Sequence, residues 1–144
     1  TNGAVMKSLL RISEAAALGL HTMALMAKQP ARRLANKDVT EILGCSTNTL
    51  AKVMQRLTHA DLVNSVRGPN GGFSLARDAA TIQILEIYEA VDGPIGAAGC
   101  LLGQGSCHFE KCILGCLSDE VNELARTRLS ETTLAELAAS MSLG

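Results

Sequence analysis

Apolar positions recur with a helical period through most of the chain, and each break in that period marks an element boundary. In EAAALGLHTMALMAK, rich in Ala, Leu and Met, the face Leu18, Thr22, Leu25 predicts a helix over residues 15–27. Glu14 stands near its positive end, and Gln29-Pro30 closes it, because proline disfavours helical geometry in the residue before it. His21 inside this helix reads as a packed or half-exposed side chain rather than a ligand. NKDVTEILGCSTNTLAKVMQRLTHADLV then reads as two helices about a tight turn. The first ends at Leu43, Gly44 makes the turn, Ser46 is placed to cap the second, and Leu50, Val53, Met54 and Leu57 form its inward stripe. Cys45, beside Leu43 in the turn, reads as a small buried hydrophobe.

The period then shortens to two. LVNSVR and GGFSLAR are extended pieces joined across GPNGG, with Val63, Ser65, Phe73 and Leu75 predicted to alternate between faces. A hairpin directly after a helix-turn-helix is a winged helix. TIQILEIYEAVDG returns to helical spacing through Ile82, Ile84, Leu85 and Tyr88 and stops at Asp92-Gly93-Pro94. In LSDEVNELARTRL the stripe Leu117, Val121, Leu124, Ala125 has no obvious partner within so small a chain, which makes this helix a candidate for pairing with a second copy. ETTLAELAA is expected to close the chain as a short helix. The predicted fold is mainly α with a small β-hairpin wing: a winged helix-turn-helix over residues 6–78, then a helix, a cysteine loop and a dimerisation helix over 79–144.

Charge sharpens this picture. The net charge of -1 hides ten Lys or Arg against four acids up to Arg77, and three against ten beyond it. The basic half suits a polyanion. On the second helix of the helix-turn-helix the side away from the stripe carries Thr47, Asn48, Lys52, Gln55 and Arg56, able to reach phosphates and base edges from a major groove, with Ser46 at its start. Arg67 at the base of the wing and Asn70 at its tip are placed for the neighbouring minor groove. No apolar run reaches about 18 residues, the start lacks a secretory apolar core, and Met6 is a candidate natural start, so a cytoplasmic protein is expected. No nucleophile-base pairing or phosphate-cradling glycine loop is present, and neither an enzyme nor a small-molecule substrate is expected.

CLLGQGSCHFEKCILGC brings Cys100, Cys107, Cys112 and Cys116 together with six, four and three intervening residues. In a reducing compartment such a cluster points to metal or redox chemistry rather than disulfides. Structural zinc sites usually show pairs of cysteines separated by two residues, which is not the spacing here.

The runs RISEAAALGLHTMALMA, LVNSVRGPNGGFSLARDA and AVDG, followed by spaced cysteines, resemble the IscR/NsrR-type family of bacterial winged-helix transcription factors over residues 6–139. That resemblance implies a homodimer on palindromic promoter DNA, and an iron-sulfur cluster bound by Cys100, Cys107 and Cys112, with 2Fe-2S expected ahead of 4Fe-4S. The gaps are six and four where the family often shows five and five. For the fourth ligand the family uses a histidine, whose position here is Gly115, or an acid at the start of the first helix, matched by Glu14. Cys116, four residues after Cys112, stands level with Glu14 as a candidate, and His108 stands behind both. A zinc-holding or metal-free thiol switch, or an iron-sulfur electron carrier, is the alternative.

Overall fold

A computed structural model describes residues 9–96 and 114–142. The first helix, α1 (Glu14–Lys28), is capped by Ser13, whose Oγ accepts from the Ala16 amide at 3.0 Å. Its predicted stripe proves too narrow. Thr22 and Leu25 are buried and Leu18 is only half-buried, while Ala16, Gly19, Met23, Ala24 and Met26 are buried as well. The physical reason is that α1 is covered on several sides by later helices and forms the axis of the core.

Helix α2 (Asn36–Leu43) ends at Gly44, whose φ of 65° and ψ of 32° give the left-handed turn expected of glycine there. Helix α3 (Thr47–His59) buries Leu50, Val53, Met54 and Leu57, as their spacing predicts. Ser46 occupies its N-cap position, but the side chain makes no capping bond. Cys45 is half-buried against the core rather than fully enclosed.

The wing is the antiparallel pair β1 (Val63–Val66) and β2 (Gly72–Leu75), in the register Val63 to Leu75 and Ser65 to Phe73. Its alternation is weaker than predicted, since Ser65 is exposed and every residue of β2 is half-buried. The hairpin meets the core through buried Val63 and half-buried Phe73 and Leu75, and Leu34 exchanges two backbone hydrogen bonds of 3.0 and 2.8 Å with Phe73. Gly71 of the tip has a steric reason, whereas Gly68 has open space around it and a φ of 113°. A Cβ on Gly71 would stand 2.1 Å from the Val66 carbonyl oxygen, so a side chain there would force the turn open.

After one 3-10 turn (Ala79–Thr81), α4 (Ile84–Asp92) buries Ile84, Ile87 and Val91. Ile82 precedes the helix in extended backbone and Leu85 is half-buried, so the stripe is rotated from the expected one. Ile82 is extended because its carbonyl accepts from the Leu134 amide at 2.8 Å, at the start of the last helix. Helix α5 (Gly115–Glu131) packs on α4, and α6 (Leu134–Ser140) packs on α1 and the 3-10 turn. Residues from both sides of Asp78 share a single hydrophobic cluster. Among the described residues, no helix is long and apolar enough to cross a membrane.

Candidate nucleic-acid interface and the root of the cysteine segment

Gly44 turns α2 into α3 and leaves the polar side of α3 outward. At about 100° per residue, positions 48, 52, 55 and 59 fall within an arc of roughly 60° opposite the buried stripe. The outward row is therefore Asn48, Lys52, Gln55 and His59, all exposed. His59 was not among the expected contacts; continuing the polar row by one more turn would have found it. Ser46 and Thr47 are exposed at the N-terminal end of α3, where unpaired backbone amides favour an anion. A shallow groove between α3 and the wing is lined by Asn36, Gln55, Thr58, His59, Ser65 and Phe73. Arg67 and Asn70 are exposed on the wing beside it.

Not every base of the first half is equally available to a phosphate. Arg77 is paired with Glu86 at 2.8 Å and Arg32 lies 3.7 Å from Asp38, whereas Lys52 and Arg67 make no ion pair among the described residues. Arg56 is placed apart from the outward row. It sits on the flank of α3, and its Nη1 donates to the Val91 carbonyl at 2.5 Å.

Of the expected metal ligands, Cys100, Cys107, Cys112 and the weaker candidate His108 lie outside the described residues. Cys116 falls in the first turn of α5, and Glu14 is the exposed first residue of α1. Among the described residues, no group of three or more His, Cys, Asp or Glu is arranged to hold a metal ion. His21 is exposed rather than packed or half-exposed, with Nδ1 2.7 Å from the Ala17 carbonyl oxygen.

The chain enters the cysteine segment from the end of α4, and polar side chains gather there. Asp92 accepts from the Ser13 hydroxyl at 2.7 and 2.8 Å. Burial pushes the Tyr88 phenol to a raised pKa, and the charge of Asp92 and a hydrogen bond to it act in the same direction. The residue after Ser13 is Glu14, so the start of α1 is tied to the point from which the cysteines depart.

Comparison with known proteins fits these features. Residues 12–140 match the Rrf2 family, described as "Iron-dependent Transcriptional regulator". The HTH-type transcriptional regulator IscR of Klebsiella pneumoniae (strain 342) is 38% identical over 101 residues, 69% of this chain. That match spans only 61% of the relative's own length. Among solved structures, CymR (YrzC), the global cysteine regulator of B. subtilis, superposes with a TM-score of 0.76 at 25% identity, covering 92% of this chain and 99% of that one. IscR of T. potens superposes with a TM-score of 0.70 at 26% identity, covering 94% of each. With its winged helix and nearly its whole length matched, the chain belongs to the Rrf2 family of iron-dependent transcriptional regulators.

Proposed function

We propose that this protein is a homodimeric transcriptional regulator that reads promoter DNA through α3 and the wing and is controlled by the state of its cysteine segment. The observation that carries the DNA reading is the outward row Asn48, Lys52, Gln55, His59 set beside an exposed wing bearing Arg67. Lys and Arg supply the phosphate attraction, while Asn and Gln side chains offer paired donors and acceptors to base edges. On this reading Lys52→Ala weakens binding to a duplex selected from a random pool by the wild-type chain. The slope of log affinity against log salt becomes shallower by about 0.9, the contribution of one phosphate. An unchanged slope in a fluorescence-anisotropy titration removes Lys52 from the interface.

Homodimerisation is supported by α5, where Leu117 is 39% and Leu124 61% exposed along the apolar stripe. An apolar stripe left in water favours association with its own copy about a two-fold axis. Leu124→Asp is expected to yield a folded monomer in sedimentation; a dimer of undiminished strength places the interface elsewhere.

Regulation is assigned to an iron-sulfur centre, 2Fe-2S ahead of 4Fe-4S. The donor set fits such a group: Cys100, Cys107 and Cys112 supply thiolates, with Cys116 or Glu14 completing the set, Glu14 from the partner subunit. When bound, the centre supplies redox- and ligand-sensitive chemistry. The chain's own residues anchor the entry to the segment, at Ile95 and Gly96, to α4 and α5. A metal-free thiol switch is the second reading, favoured by the likeness to a protein named as a global cysteine regulator. Anaerobic purification with absorbance and iron-to-sulfide analysis separates the two, with DNA binding measured on the same sample before and after iron removal. Full DNA regulation by thiol oxidation in an iron-free sample would select the switch.

A further inference from the structure

Residues 91–96 join the last turn of α4 to the cysteine segment, and they are held from several elements at once. Glu89, within α4, accepts from the Ile95 amide at 2.9 Å. Asn122 of α5 donates to the Gly96 carbonyl at 2.9 Å, and Arg126 of α5 donates to the Ile95 carbonyl. Ser13 joins Asp92 to the N-cap of α1. The remaining tie comes from the DNA-facing helix itself, as Arg56 donates to the Val91 carbonyl.

That last bond has a physical basis. Val91 lies in the final turn of α4, where carbonyls lack intrahelical partners and the helix dipole favours a cation. A guanidinium donating to such an oxygen makes a charge-assisted bond, stronger and shorter than a neutral one. Arg56 also sits to one side of the outward row, roughly 70° around the helix from its centre. Holding Val91 and lying in the major-groove face are different tasks, and its position serves the first.

We propose that Arg56 is a positioning residue rather than a DNA contact: through the Val91 carbonyl it carries the state of the cysteine segment to the DNA-reading helix. This rests on the reading above that the segment senses. A change at the segment shifts residues 91–96, and Arg56 converts that shift into a change in the tilt of α3.

The test compares the full wild-type chain with Arg56→Gln by three readouts. In amide hydrogen exchange without DNA, Gly93 and Ile95 are expected to exchange about tenfold faster in the variant. On the selected duplex the salt slope is expected to stay at the wild-type value. The ratio of DNA affinities between iron-and-sulfide-reconstituted and metal-free samples is expected to fall toward one. A slope shallower by about 0.9 would instead assign Arg56 to a phosphate and overturn the proposal. Unchanged exchange together with an unchanged ratio overturns it as well. If the wild type itself shows a ratio of one, the sensing reading fails, and with it any carrying of the segment's state by Arg56. Should Arg56→Gln fold poorly, Arg56→Lys keeps the charge and loses the forked donor geometry. Faster exchange at Gly93 and Ile95 in that variant supports the strut, and wild-type exchange there overturns it.

Discussion

Cys107→Ala is expected to leave a folded dimer that binds DNA with one affinity whatever its iron content. In the wild type, coupling free energies of about 1–3 kcal/mol correspond to a difference of roughly 5–150-fold between the two states. The variant should abolish that difference, because Cys107 is the middle member of the proposed three-thiolate set and its loss would leave too few sulfurs for the proposed centre. Folding should survive because the hydrophobic cluster among the described residues already unites α1, α2, α3, α4 and α6. Two measurements on one anaerobic preparation decide it: the thermal midpoint, expected near the wild-type value, and the affinity for the selected duplex with and without reconstitution. A variant that still responds to iron and sulfide would remove Cys107 from the ligand set. A response to oxidation without iron, lost in the same variant, would move the mechanism to thiol chemistry.

Leu134→Ala is expected to lower stability by about 2–5 kcal/mol, the usual cost of truncating a buried leucine and leaving a cavity. For a chain of this size that corresponds to a fall in Tm of roughly 5–15 °C. Leu134 is 0% exposed, and its amide donates to the Ile82 carbonyl at 2.8 Å, while the Ile84 amide donates to Thr132 at 3.0 Å. These bonds fasten α6 beside the start of α4, so the final helix is part of the core rather than an appendage. A thermal melt that moved by less than about 2 °C would show that α6 detaches at little cost.

Both expectations depend on relations that differ in how far they reach along the chain, and that reach governs what the sequence revealed. The stripe Leu50, Val53, Met54, Leu57 is local, and its period names both its helix and its buried side. Gly44 announces the helix-turn-helix corner because only a left-handed residue fits there, and the GPNGG run announces the wing. The resemblance carried by VRGPNGGF, AVDG and the spaced cysteines pointed to the family that the comparisons then showed. Where the sequence reading slipped, a partner distant in sequence had intervened. Helix α1 buries far more than one stripe because α3, α4 and α6 surround it. Ile82 leaves its helix to pair with Leu134.

By itself, then, the sequence determined the element order, the winged helix and the cysteine-bearing segment, since each is written in the period, turn chemistry or spacing of adjacent residues. Only the tertiary structure decided which outward polar side chains stay in solvent and which bind another element of the fold. Arg56 and Lys52 look alike in composition and sit on the same helix. The end of α4, 35 residues further along, draws one guanidinium onto the Val91 carbonyl and leaves the Lys52 ammonium to solvent. Likewise Ser13 and Asp92 are 79 residues apart and carry no local sign of each other. Periodicity reports which way a side chain points from its own backbone, but only packing brings in the oxygen or the charge that it meets.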